Sequence, residues 1–172
     1  MANLAQNQNQ TFQTPMLAQV TMDPQPNTVS AQIYPSSVAP VISAGCSVKL
    51  VATTPGVGII VDICSSASDG PVYGIIPYNM RKNTYSPSDT VEVVGRGGIL
   101  MLKSYAAVPR GAAVVVLNPA ASTTDPMVQS DLTVGNYIAG VALGQAAAGS
   151  SLIKVQVSPG VVSATGVISV TP

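Results

Sequence analysis

The run Thr90-Val91-Glu92-Val93-Val94-Gly95-Arg96-Gly97-Gly98-Ile99-Leu100-Met101-Leu102-Lys103 decides the fold class. Residues 90–94 set β-branched side chains against polar ones at the two-residue period of a half-buried strand. Gly95-Arg96-Gly97 signals a tight turn, and residues 98–103 resume an apolar run. The stretch therefore reads as a β-hairpin.

Working outward, the same grammar repeats. Residues 47–52 place Val48, Leu50 and Ala52 on one face. Residues 58–64, 72–76, 113–117, 137–143, 152–157 and 161–170 are further β-rich runs separated by Gly, Pro, Asp and Ser. Residues 113–117 are apolar on both faces, which predicts a central strand. No 11-residue window carries helical spacing. Strands spaced in this way indicate an all-β fold, a small barrel or sandwich of short antiparallel strands. No fixed-period repeat is visible, which disfavours a solenoid or propeller.

The N-terminal part differs. All 15 glycines lie at or beyond Gly45, and residues 1–44 carry a single charge, Asp23. They carry Pro15, Pro24, Pro26, Pro35 and Pro40, and an amide-rich start around Asn7-Gln8-Asn9-Gln10. Each residue before a proline is pushed toward extended geometry. The division expected is an extended arm over 1–44, with one short strand near residues 28–33, and a β body over 45–172. Met16, Leu17, Val20 and Met22 form the arm's apolar anchors, expected to contact a neighbouring subunit or a partner surface rather than to stabilise the body. On that reading, deleting residues 1–40 leaves a folded body.

Charged residues make up 8% of the 172, with no net charge, against about 25% in a typical globular chain. A surface this poor in charge is suited to burial against other protein. The seven Lys and Arg are scattered, with only Arg81 and Lys82 adjacent, so no basic stripe exists to meet nucleic-acid phosphates. Arg81 and Lys82 are candidates for contact with an acidic partner surface. No apolar stretch reaches the ~18 residues that cross a membrane as a helix. The N-terminus lacks the basic start and apolar run of a signal peptide, so synthesis in a cytoplasm with reduced thiols is expected. Cys46 and Cys64 read as small buried hydrophobes.

The chain has no histidine, which removes Ser-His-Asp and Cys-His nucleophilic constellations. The two cysteines lack zinc-ligand spacing. Asp62 with Asp69, and Asp89 with Glu92, are the carboxylates spaced for an acid-base pair; Asp69-Gly70 and Ser88-Asp89 are ordinary turn chemistry. Gly95-Arg96-Gly97-Gly98 lacks the Lys-Ser/Thr ending of a phosphate-binding loop. The expectation is a non-enzyme with no cofactor and no metal.

Short motifs point to a family. Asp69-Gly70-Pro71-Val72-Tyr73-Gly74-Ile75-Ile76 and Asp89-Thr90-Val91-Glu92-Val93 resemble successive strands of the cement, or decoration, proteins of tailed-bacteriophage heads. Ala107-Val108-Pro109-Arg110-Gly111-Ala112-Ala113-Val114 is similar to that family's glycine turn before a core strand. Ala139-Gly140-Val141-Ala142-Leu143 and Leu152-Ile153-Lys154-Val155-Gln156-Val157 resemble its last pair. The likeness spans roughly residues 44–158 and leaves out the arm. It implies a virion protein on the capsid exterior that cements neighbouring copies of the major capsid protein, acting as a homotrimer. The rival readings are another β-rich virion component, such as a fibre or baseplate adaptor, and a small-ligand-binding β-barrel. One Phe and no Trp weaken the last.

Overall fold

The computed structural model describes residues 27–37, 39, 41–54, 58–79, 81–118, 126–130, 133–147 and 151–169. Among them the protein is all-β, with no helix. The strands are β1 (Thr28–Ile33), β2 (Ile42–Ser43), β3 (Ser47–Thr54), β4 (Gly58–Ile63), β5 (Val72–Ile75), β6 (Thr84–Tyr85), β7 (Thr90–Val94), β8 (Ile99–Ser104), β9 (Ala113–Leu117), β10 (Met127–Ser130), β11 (Tyr137–Ala142), β12 (Leu152–Ser163) and β13 (Gly166–Ser169).

β1, β4, β3, β5 and β7 close into a barrel, with β1 returning to β7. β8, β10, β9, β11 and β12 form a second circuit, because β11 also pairs with β12; β13 extends this sheet from the end of β12. Closure leaves no unpaired strand edge around either ring. Most neighbours are antiparallel, as the short connections predict, but each barrel contains one parallel pair, β1 with β4 and β8 with β10.

The two barrels are copies of one design. In chain order, the first strand pairs with the third in parallel and with the fifth antiparallel. The second pairs with the third and the fourth, and the fourth with the fifth. The registers also coincide. Ile33 faces Val61 as Ser104 faces Val128. Val48 faces Gly74 as Val114 faces Gly140. Ile75 faces Val94 as Val141 faces Gln156, and Thr28 faces Val94 as Ile99 faces Gln156. Connecting hydrogen bonds repeat in step: the Tyr34 and Tyr105 N–H groups donate to Val61 O and Val128 O, both at 2.8 Å. Gly45 N–H donates to Ile76 O at 2.8 Å, and Gly111 N–H to Ala142 O at 2.7 Å. Gly45 and Gly111 take φ of 94° and 83°, a region open to glycine at little cost.

Sequence alone hides this duplication for a physical reason. Counterparts such as Tyr34 and Tyr105, Gly74 and Gly140, and Val93 and Val155 stand at three different spacings, because the connecting loops differ in length. What the halves share is the pattern of burial. Ala31, Ile42, Val48, Val61, Ile76, Val91 and Val93 fill the first barrel; Leu102, Val108, Val114, Val128, Ala142, Ile153 and Val155 fill the second.

Three expectations are corrected here. Residues 90–103 are not a hairpin. β7 belongs to the first barrel and β8 to the second, and Gly95-Arg96-Gly97-Gly98 joins them. This junction is held from both sides: Gly95 N–H donates to Asn27 O at 2.9 Å, and Gly97 N–H to Val157 O at 2.8 Å. The boundary between an arm and a body after Ala44 also fails for the described residues among 28–44. β1 is the strand expected near residues 28–33, but it closes the first barrel, and Ile33 and Ile42 are fully buried in it. Residues 152–157 and 161–170, read as separate runs, contain one continuous strand, β12, followed by β13.

The barrels share a core. Ala44, Cys64, Val72, Ile75 and Val94 face out of the first barrel and join the buried cluster of the second. Their counterparts in the second barrel include Arg110, which is exposed, and Gln156, which is half-buried. Asn118, just after β9, crosses the junction. Its Oδ1 accepts Ser47 N–H at 2.9 Å, and its Nδ2 donates to Ser47 O at 2.9 Å and Cys64 O at 2.7 Å. Ser47 is 2% exposed, so loss of this amide strands buried backbone groups. Asn118→Ala is expected to cost about 2–3 kcal/mol, read as a lower midpoint in denaturant unfolding; an unchanged midpoint would contradict the role of this side chain.

Candidate interaction surface

Met16, Leu17, Val20 and Met22 lie outside the described residues. Arg81 and Lys82 lie in the long connection between β5 and β7, and the structure separates their roles. Lys82 Nζ pairs with Asp89 Oδ2 at 2.7 Å and sits 5.4 Å from the centre of the Tyr85 ring. The Tyr85 hydroxyl donates to Lys82 O at 2.8 Å. The cation beside Asp89, together with the Ser86 N–H, holds that carboxyl below its usual range. Lys82 is thus committed within its own loop. Arg81 is exposed, and no ion pair joins it to a described residue. The equivalent connection of the second barrel, from Ala142 to Leu152, is shorter and holds no such pair of cations.

The other carboxylate of note, Asp69, organises a loop. It pairs with Lys49 Nζ at 2.5 Å, and its other oxygen accepts the N–H and hydroxyl of Ser65, each at 2.8 Å. Burial works against its charge, but the hydrogen bonds from Lys49 and Ser65 outweigh it and hold the carboxyl below the usual range. A depressed carboxylate pKa adds stability above its unfolded value, and that stability is lost as pH falls through the folded value. Asp69→Asn is expected to cost about 1–2 kcal/mol at pH 7, with the gap to wild type closing as pH falls below 4. Thermal melts across pH check this; a gap independent of pH would contradict it.

Cys46 and Cys64 are buried and unpaired. Burial pushes the Cys46 thiol up to about 12 and the Cys64 thiol up to about 11. At neutral pH both are protonated packing groups, and the thiolate needed for nucleophilic attack is scarce. Among the described residues no three His, Cys, Asp or Glu side chains gather as metal ligands, and no helix is long and apolar enough to cross a membrane.

The described surface is marked instead by isolated apolar groups. Tyr34 stands 36% exposed at the end of β1 and Tyr105 60% exposed at the end of β8. Leu152 is exposed and pairs with Lys103, two residues before Tyr105, and Leu143 is exposed with its N–H donated to Lys154 O at 2.8 Å. Neither tyrosine hydroxyl has a hydrogen-bond partner among the described residues. Sequence reading passed over both tyrosines, because their equivalence becomes visible only when the two registers are matched.

Neither a protein-family model nor a curated protein sequence matches this chain.

Proposed function

We propose that this chain is a structural virion protein that binds the exterior of an assembled capsid and joins neighbouring coat subunits, working as a homotrimer. The observation that carries this reading is the fused double barrel: two closed five-stranded rings with a common core and a junction hydrogen-bonded on both sides. Such a body resists bending between two attachment points. Its small charge and zero net charge favour lasting burial against protein, since few charges need be desolvated. The motif likeness to decoration proteins supports the same reading, with one departure. The matched span, roughly residues 44–158, omits β1, without which the first barrel stays open. Met16, Leu17, Val20 and Met22 supply additional contacts to the shell or to a sister subunit, as an extended segment adding to a sheet edge does.

The test is direct. Purified chain is mixed with empty, tailless heads and examined by negative-stain imaging and co-sedimentation. Decoration of the shell is expected. Binding to tails or baseplates alone would move the protein to the adaptor reading, and bare heads would overturn the capsid role. Sedimentation of the free chain as a stable monomer at micromolar concentration would overturn the trimer.

A further inference from the structure

Matching the two barrels residue by residue exposes an asymmetry in what they share. Between residues 27–95 and their counterparts in 98–157, few matched positions hold the same amino acid. Val48 and Val114, Val61 and Val128, and Val93 and Val155 are identical and buried inside their barrels. Gly45 and Gly111 share the positive φ of one turn. Gly74 and Gly140 share a close approach to the next strand. Each of these identities is required by the fold.

Among the described residues Tyr34 and Tyr105 are the remaining identical pair, and the fold does not require them. Each follows the parallel strand pair of its barrel and is fixed by an N–H donated at 2.8 Å, to Val61 O or Val128 O. Each tyrosine is exposed, 36% and 60%, and is followed by small uncharged residues, Pro35-Ser36-Ser37 and Ala106-Ala107. An exposed ring adds nothing to a core, and neighbouring positions on the same strands have diverged freely, Gln32 against Lys103 and Ile33 against Ser104. A rigid tyrosine carries a large apolar face and a hydroxyl that needs a partner, the features that make it a frequent anchor in protein interfaces.

We infer that Tyr34 and Tyr105 are paired anchors, one per barrel, for two copies of the same partner site. That site has the chemistry of a shallow apolar pocket with a hydrogen-bond acceptor for the phenol. This rests on the capsid reading, and under it the two pockets belong to neighbouring coat subunits. One chain then bridges two subunits through equivalent contacts, and two linked contacts bind far more tightly than either alone.

The experiment uses the full-length chain and empty heads. Tyr34→Ala, Tyr105→Ala and the double variant are compared with wild type by quantitative co-sedimentation, after thermal melts establish that all four fold alike. Each single variant is expected to weaken binding roughly 10- to 100-fold, and the double variant by about the product. Wild type that binds while either single variant binds equally well overturns the paired-anchor inference and leaves the capsid reading standing. Wild type that leaves the heads bare overturns both. If head binding is unchanged and the double variant instead shifts the free protein to monomer, the tyrosines serve a second copy of this chain and the inference is wrong.

Discussion

Deleting residues 1–40 is expected to abolish cooperative folding of the first barrel, whereas deleting 1–26 is expected to leave the melting profile near that of the full chain. The difference lies in β1. It forms the antiparallel ladder with β7, from Thr28 opposite Val94 to Gln32 opposite Thr90, and the parallel contact with β4. Its removal opens a closed ring along two strands at once and leaves their backbone groups without partners. It also takes Ala31 and Ile33, 3% and 0% exposed, away from Val61, Val91 and Val93. Loss of one buried Ile side chain alone costs about 2–5 kcal/mol, a large share of the 5–15 kcal/mol that holds a domain folded. Damage then spreads, because Val72, Ile75 and Val94 belong to the cluster that fills the second barrel. Circular dichroism melts and hydrogen exchange on both truncations check this. A 1–40 deletion that melts like wild type would return residues 28–40 to the arm.

The fold class was legible because it depends on local pattern. Alternation over residues 90–94 and 152–157, and glycine between short β-branched runs, are enough to indicate an all-β chain. The strand ends at Thr90–Val94 and Ala113–Leu117 coincide with those read from sequence for the same reason. Strand partnership is not local. Gly95-Arg96-Gly97 has the composition of a hairpin turn, yet β7 is taken by β1 and β5, and the chain passes into a second barrel. Residues 28–44 looked like arm because prolines and missing glycines describe the connections around β1 rather than β1 itself. The short strand Met127–Ser130, with the sequence Met-Val-Gln-Ser, is too brief and too mixed to stand out. Of the candidate contact residues, Arg81 and Lys82 were legible as polar loop residues, but the commitment of Lys82 to Asp89 and Tyr85 depends on a folded loop. Tyr34 and Tyr105 carry no signal in isolation.

Gly74→Ala and Gly140→Ala are each expected to destabilise the protein by about 3 kcal/mol or more, with Gly144→Ala nearly silent. A Cβ on Gly74 would lie 2.5 Å from the Val94 carbonyl oxygen, and one on Gly140 would stand against the Gln156 carbonyl oxygen. Val94 and Gln156 are themselves counterparts, so each barrel has the same point where its fourth strand presses on its fifth. At both sites the obstruction includes backbone (at Gly74 the Val93 Cγ1 methyl stands equally close, at 2.5 Å), and relief requires moving a strand whose other edge is already paired, β7 with β1 and β12 with β8. Overpacking of a well-ordered interior costs 1–3 kcal/mol where side chains can yield, and more where they cannot (~3 or above here). At Gly144 the added carbon meets Lys154 N at 3.7 Å, an ordinary contact, and a change within about 0.5 kcal/mol is expected. Denaturant unfolding of the three variants measures this. Equal, small effects at all three would mean the barrels can open at that corner, and the matched registers would then have no steric origin there. A large effect at Gly140 with none at Gly74 would restrict the tight corner to the second barrel and break the equivalence on which the paired contacts proposed for Tyr34 and Tyr105 depend.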